Sequence, residues 1–315
     1  MPSVIFETFG GPDVLQVVDT RPPRLGPGEV LVQVAASGVN YFDTLLRRNA
    51  FVGEPALPCG LGVEIAGAVV AAGKGAEPWL GRRVAAPLFA IGRSGGYASE
   101  IAVPADACVE LPDGFDPAEA VALMVQGLTA LHAVRAAEVA GRTVMVLAAA
   151  GGVGGLLLQL ARQAGATRVI AAVGQASKLD AVRQLGADAA VTYDDLPDFH
   201  DAAEVVLDLA GGTLTATGLA ALQPGGLMLC GGMGRARLPA EAFEAVMGQN
   251  QTVRGFSLLP HLSGSPGEDL RHLFRLSSGG LLSTVVDLRP GLESAQAAHA
   301  DLEARRTVGK IVLLP

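Results

Sequence analysis

Charged side chains are scarce in this 315-residue chain, at 17% of the total, and the basic ones are outnumbered, 23 Lys and Arg against 31 Asp and Glu. A net charge of -8 offers no general attraction for nucleic acid or an anionic membrane, although one local basic pocket for a phosphate stays open. Cysteine is nearly absent as well. Cys59, Cys108 and Cys230 lie far apart and form no CxxC pair, which speaks against a disulfide scaffold or a cysteine-rich zinc site and makes a reducing, cytoplasmic setting the expectation. His132, His200, His261, His272 and His299 fall into no HxxH or HExxH pattern. The opening residues "MPSVIFETFGG" have neither a basic stretch nor a sustained apolar run, so no secretory signal is expected. Apolar residues are abundant, at 50% of the chain, enough for a well-buried globular protein with one large core or, the preferred reading, two domains. Glycine is also plentiful at 41 residues, but it has no three-residue period and does not suggest collagen.

The first 125 or so residues read as strands and turns. "GEVLVQVAASGVN" is an apolar, partly alternating run bounded by Gly28 and Gly38, and "GVEIAGAVVAAG" and "GRRVAAPL" supply further short Val-rich runs. "YFDTLLRR" between the first two suits a short helix, and "RPPRLGPGE" is turn material. From about Pro117 the rhythm changes. "DPAEAVALMVQGLTALHAVRAA" opens with an N-cap and first-turn pair, Asp116 and Pro117, and Gly127 is the expected point of division within it. "TVMVLAAA", "GGVGGLLLQLARQAG", "TRVIAAV" and "SKLDAVRQLGAD" then alternate strand, glycine turn, helix, strand and helix, the order of a parallel sheet covered by helices. "AEVVLDLAGG", "TLTATGLAAL" and "GGLMLCGG" continue it.

Within that alternation lies an uncharged run of 19 residues, Thr143 to Ala161. Its length admits a membrane span, yet its glycines and its strand-and-helix surroundings favour a dinucleotide cradle. The spacing is Ala148-x-x-Gly151-x-x-Gly154 rather than an ideal GxGxxG. Gly151, Gly152, Val153 and Gly154 would turn the chain sharply and bring helix amides to a pyrophosphate. A structural glycine turn without a ligand is the competing reading. An Asp or Glu about 20 residues beyond the first glycine would select NAD. Here the second strand ends at Val173 and "GQASK" follows, with no carboxylate and with Lys178 as its first charge. That absence favours NADPH, whose 2'-phosphate an ammonium attracts, although Lys178 could equally face solvent.

These segments together resemble the zinc-independent quinone oxidoreductases of the medium-chain dehydrogenase/reductase superfamily. "GPGEVLVQVAASGVNYFDTLLRR", "GVEIAGAVVAAG", "GGYASEIAVPAD", "QGLTALHAV", "AAAGGVGGLLLQLARQAGA", "KLDAVRQLGAD" and "GKIVLLP" carry the resemblance in order along nearly the whole chain. It implies an α/β fold with a Rossmann nucleotide-binding domain, residues 125–262, inserted into a mainly beta GroES-like substrate domain. Residues 1–124 would form the first part of the latter and residues 263–315 complete it. The active site is then expected in the cleft between domains.

The resemblance also implies roles for single residues. Metal-dependent relatives carry a cysteine where this chain has Asn40 and a histidine where it has Val63, so no metal ligands are expected. Asn40 matches a residue at the nicotinamide and substrate edge whose amide can donate to a carbonyl; capping the next helix is its other reading. Thr129 matches a threonine near the nicotinamide and Tyr193 a tyrosine near the adenine or its phosphate, while Met233 and Phe256 fall in segments expected near the nicotinamide pocket. Each also has a plain packing or helix role available. A tyrosine proposed to assist protonation in related enoyl-thioester reductases corresponds to Phe51. The expected activity is NADPH-dependent reduction of a quinone or an α,β-unsaturated carbonyl by a homodimer with no nucleic-acid or membrane partner. An enoyl-thioester reductase, a catalytically silent NADPH-binding protein and, behind these, a zinc-dependent alcohol dehydrogenase are the alternatives.

Overall fold

The strand Glu29–Val39 organises the first folding unit. Val30, Val32 and Val34 alternate inward along it and are buried, as period-two patterning requires of a strand with one covered face. Antiparallel to it run Ile65–Ala72, Glu100–Pro104 and the C-terminal strand Lys310–Leu314. The last of these pairs in parallel with Val286–Pro290. With Arg83–Ala86 and Val109–Glu110 they make a seven-stranded sheet, and Gln16–Asp19, Pro2–Phe6 and Cys59–Gly60 make a smaller one. The computed structural model describes residues 1–51, 54–231, 237–262 and 266–315. Met1–Val125 and Ser265–Pro315 form this unit, and Gln126–Gly264 form the other.

Two helices follow Asp116, whose carboxylate accepts the Ala118 amide at 2.9 Å ahead of Pro117. The chain divides at Met124, between Pro117–Leu123 and Val125–Ala137, and not at Gly127, which lies inside the second helix. The cause is Glu64, whose Oε2 takes the Val125 amide at 2.8 Å and so withdraws it from the helical ladder. Pro117–Ala137 is the one stretch among the described residues with the length and hydropathy to cross a membrane, but 78% of its most apolar window is buried inside the protein.

The second unit is built on six parallel strands in the spatial order Ala189–Thr192, Arg168–Val173, Thr143–Leu147, Ala203–Asp208, Leu222–Cys230 and Thr252–Gly255. Numbered along the chain from Thr143 the order is 3-2-1-4-5-6, the doubly wound nucleotide-binding arrangement. Thr143 to Ala161 is therefore not one continuous span. It is a strand, a turn, and the first ten residues of the helix Gly152–Gln163. Met145, Leu147, Ile170, Val206 and Met228 pack the sheet's core.

Close packing of that first helix on its strand depends on Gly154. A β-carbon there would stand 2.3 Å from the Ala148 carbonyl oxygen and 2.6 Å from the Ala149 Cα, both backbone atoms that cannot swing aside. At Gly151 the nearest atom would be 3.3 Å away, a contact that a small shift relieves. Gly154→Ala is expected to cost about 2–4 kcal/mol and to lower Tm by roughly 5–15 °C. Gly151→Ala should lower it far less. Thermal unfolding of both variants checks the contrast, and equal losses would contradict the steric account.

Candidate functional site

In the nucleotide-type unit the chain turns out of its first strand through Ala148, which adopts a left-handed φ of 54°. Gly151 then precedes the helix Gly152–Gln163 in extended conformation. The first-turn amides of Gly152, Val153 and Gly154 have no carbonyl four residues back within the helix, so they form the positive end of its dipole. This turn lies at the carboxyl end of the sheet beside the point where strand order reverses, between Thr143–Leu147 and Ala203–Asp208, which is where open parallel sheets bind ligands. Asp208 closes the neighbouring loop. Its Oδ1 accepts the Ala210 and Gly211 amides at 2.9 and 2.8 Å, and its Oδ2 accepts the Thr215 hydroxyl at 2.7 Å.

Tyr193, just past the third strand, reaches back to this turn, and its hydroxyl oxygen accepts the Ala148 amide at 3.1 Å. The same ring covers Gly174, the first residue after the second strand, where a β-carbon would lie 3.2 Å from the Tyr193 Cε2. An acid at that position would crowd the ring. Lys178 ends the short 3-10 turn Ala176–Lys178 in the same loop, half-buried, and burial holds its ammonium below the usual lysine range. These residues and the glycine turn fit a dinucleotide phosphate: a turn whose Gly154 has no room for a β-carbon, a helix N-terminus, and one cation in a loop without a carboxylate.

The other positions singled out by sequence are more dispersed. Thr129 is half-buried within Val125–Ala137. Met233 lies outside the described residues. Phe256 follows the edge strand and stacks on His261 at 5.3 Å between ring centroids, and His261 stacks on His132 at 5.2 Å. Phe51 stands edge-on to Phe42.

In the mainly beta unit Asn40 ends the strand Glu29–Val39 and caps the helix Tyr41–Arg47. Its side chain is held by two buried charges. Lys310 Nζ donates to Oδ1 at 2.8 Å, and Nδ2 donates to Glu64 Oε1 at 2.9 Å. Lys310 and Glu64 are themselves paired at 2.5 Å, with side chains 2% and 0% exposed. Burial lowers the lysine's proton affinity and the Glu64 carboxylate restores part of it. Space for Glu64 comes from Gly38, where a β-carbon would fall 2.3 Å from its Oε1. Val63, its neighbour, is buried.

Asp43 supports Asn40 from the other side. Its Oδ2 accepts the Asn40 backbone amide at 2.8 Å and the Tyr97 hydroxyl at 3.1 Å, and its Oδ1 accepts the Gly62 amide at 3.3 Å. Burial raises its pKa to about 6, against the pull of the Asn40 amide and the Lys310 charge. The Tyr97 hydroxyl also meets His299 Nε2 at 3.2 Å. Burial, reinforced by the Arg47 charge, brings His299 down to about 3, so the ring is neutral at neutral pH. With Tyr97 donating to an ionised Asp43, Nε2 must be the nitrogen that carries the hydrogen.

Glu64, Lys310, Tyr97 and His299 were not candidates from sequence. Glu64 and Lys310 sit in the segments "GVEIAG" and "GKIVLLP", and their signal was a lone charge set in an apolar strand run. That pattern marks burial with a partner but does not name the partner.

Comparison with known proteins gives consistent matches. Residues 26–113 match the alcohol dehydrogenase GroES-like domain and residues 185–313 the zinc-binding dehydrogenase domain. A quinone oxidoreductase of Pseudomonas aeruginosa is 33% identical over 98% of both chains. A 2-haloacrylate reductase of Burkholderia is 32% identical over 99% of this chain and 98% of its own. The crystal structure of Escherichia coli quinone oxidoreductase complexed with NADPH superposes with a TM-score of 0.88 at 30% identity, covering all of both chains.

The neutral His299 and the raised Asp43 oppose each other in their effect on stability. An unfolded histidine takes a proton below about 6.5, while the buried ring resists until about 3, so its contribution is complete above 6.5 and is lost as the pH falls through that window. Asp43 acts in reverse, with its contribution complete below 3.8 and lost as the pH rises through about 6. His299→Gln keeps a donor for Tyr97 and removes only the first effect. Between pH 6.5 and 4.5 the variant should gain roughly 1–3 kcal/mol relative to the parent. Urea unfolding at a series of pH values measures this, and a pH-independent difference would refute the neutral buried ring.

Proposed function

The chain belongs to the quinone oxidoreductase family of the medium-chain dehydrogenases and reductases, and from that premise we propose that it reduces a quinone or an α,β-unsaturated carbonyl with NADPH and without zinc. It is an oxidoreductase, as its relatives are. The observation that carries the finer reading is the state of Asn40. The side chain that stands where metal-dependent relatives carry a cysteine is an amide clamped between an ammonium and a carboxylate, and Val63 replaces the second ligand with a hydrocarbon. Carbonyl polarisation then falls to a hydrogen-bond donor in a buried, preorganised setting.

Gly151, Gly152, Val153 and Gly154 would hold the cofactor's pyrophosphate at the helix N-terminus and Lys178 would meet the 2'-phosphate, while the Tyr193 hydroxyl fixes the turn through the Ala148 amide. Thr129, Met233 and Phe256 are proposed for the nicotinamide side. When bound, NADPH supplies a hydride from nicotinamide C4. Asn40 orients the acceptor carbonyl and donates to its oxygen as negative charge develops there. Phe51 has no transferable proton, so an enolate product would take its proton from water or another donor, while a quinone needs no dedicated carbon acid. The relative that reduces 2-haloacrylate supports an activated carbon–carbon double bond beside the quinone as acceptor.

We also propose a cytoplasmic homodimer. Cys59, Cys108 and Cys230 are free thiols, in keeping with a reducing compartment. The strand Thr252–Gly255 is an exposed sheet edge, and on the adjoining helix Ala240–Gly248 Phe243 and Met247 are 56% and 71% exposed. An open strand edge beside exposed apolar side chains invites pairing with a second copy. Light scattering should give the mass of two chains for the parent and of one chain for the pair Met247→Glu, Val253→Glu. A parent protein that runs as a monomer contradicts the assembly.

The functional test is loss of NADPH absorbance with a panel of quinones and enones in metal-free buffer. Tight NADPH binding without turnover of any acceptor would instead favour a silent nucleotide-binding protein, and a requirement for stoichiometric zinc would overturn the metal-free reading. For the cofactor, Lys178→Ala should weaken NADPH by about 1–3 kcal/mol, some 5- to 150-fold, and leave NADH nearly unchanged. The NADPH loss should shrink in high salt. Dissociation constants for both cofactors decide it, since equal losses exclude a phosphate-specific contact.

A further inference from the structure

Asn40 lies between a group that can only donate and a group that can only accept. The Lys310 ammonium has three N–H donors and no lone pair, and an ionised Glu64 has lone pairs and no hydrogen. Lys310 Nζ is 2.8 Å from Oδ1 and Glu64 Oε1 is 2.9 Å from Nδ2. Rotating the amide by half a turn would set its oxygen against the carboxylate and its NH2 against the ammonium, with both charges buried and unable to recruit water. Asn40 therefore has one polarity, imposed by its neighbours. Because one Nδ2 hydrogen goes to Glu64 and the amide is planar, the direction of the other is set as well.

The ammonium does more than orient. A cation on the amide oxygen draws electron density from nitrogen and makes its hydrogens better donors, the cooperative strengthening expected of chained hydrogen bonds at low dielectric. A buried ion pair is not in itself a strong source of stability, and a hydrocarbon pair of like volume would often serve as well. This one also constrains the sequence at Gly38, whose missing β-carbon makes room for the Glu64 carboxylate.

We infer that Lys310 and Glu64 are positioning residues for Asn40, which hold its amide in a single polarity and sharpen it as the donor to the substrate's carbonyl oxygen. The inference rests on the role proposed above for Asn40 and extends it to two buried residues that would act through it.

The chain contains three asparagines, Asn40, Asn49 and Asn250, and of these Asn40 alone is buried. Selective 15N-asparagine labelling thus yields three side-chain NH2 pairs, assigned by Asn49→Ser and Asn250→Ser. The parent protein should show one pair, that of Asn40, exchanging with deuterated solvent about 100-fold more slowly than the others. Lys310→Met and Glu64→Gln should each reduce this protection at least tenfold. Each should also lower kcat by about 10- to 100-fold, with the NADPH dissociation constant and the acceptor KM within about twofold of the parent. Lys310→Arg, which retains the cation, should recover most of both. If either single variant fails to fold, the neutral double variant Lys310→Met, Glu64→Gln leaves no unpaired buried charge and should show the same two losses. Full protection in Lys310→Met, or lost protection with unchanged kcat, overturns the inference. Parent-like kcat in Asn40→Ala is a separate result: it removes the proposed role of Asn40 in the reaction and with it the catalytic half of the inference, while exchange still reports on the lock itself.

Discussion

Glu64 and Lys310 are 246 residues apart in sequence and have both left water, and their pairing is the constraint from which much of the mainly beta unit follows. Neither charge can be buried alone, because an unpaired ion in a protein interior costs several kcal/mol. The last strand must accordingly return beside the first long one, Ile311 opposite Val39 and Val312 opposite Gly38, so that the lysine at its head meets the glutamate. Gly38 must lack a side chain to admit the carboxylate. The second carboxylate oxygen captures the Val125 amide and so divides the two helices at Met124. One ion pair thus sets a strand register, a glycine and a helix boundary. Asn40 is the residue that sits against it.

Around this pair lies a second polar layer. Asp43 gathers two backbone amides and a tyrosine hydroxyl, and His299 stays neutral next to that hydroxyl and near Arg47. Arg47 is itself buried and paired with Glu303, which joins the helix after Asn40 to the helix Ala295–Glu303. The strand end that carries Asn40 is therefore gripped from both sides by groups whose removal would leave buried donors or acceptors unmet, and such a position has little freedom to move.

The nucleotide-type unit achieves rigidity by another route. Its turn is shaped by backbone packing, with Gly154 against Ala148 and Ala149, and by one tyrosine hydroxyl that holds the left-handed Ala148 in place. The loop after Asp208 is tied in the same manner, by a carboxylate collecting two amides and a hydroxyl. Loops at the carboxyl ends of these strands hold their form through close backbone packing and through side chains that take main-chain amides.

Local order in the chain was enough to determine the fold class, because each strand and helix announces itself within a dozen residues. Period-two Val runs mark the first sheet, and the alternation from Thr143 onward marks the second. The glycine turn and the lack of a carboxylate between Val173 and Lys178 were likewise legible, since each is a matter of residue type at a position. The division of the long apolar helix was misplaced at Gly127, since backbone propensity marks a weak point but cannot report that a carboxylate 61 residues earlier takes the Val125 amide. Tertiary structure alone decided what faces Asn40. An isolated Glu in "GVEIAG" and an isolated Lys in "GKIVLLP" show only that two charges need partners. Which partners they find depends on the antiparallel register of strands from opposite ends of the chain, a non-local contact that no local pattern encodes.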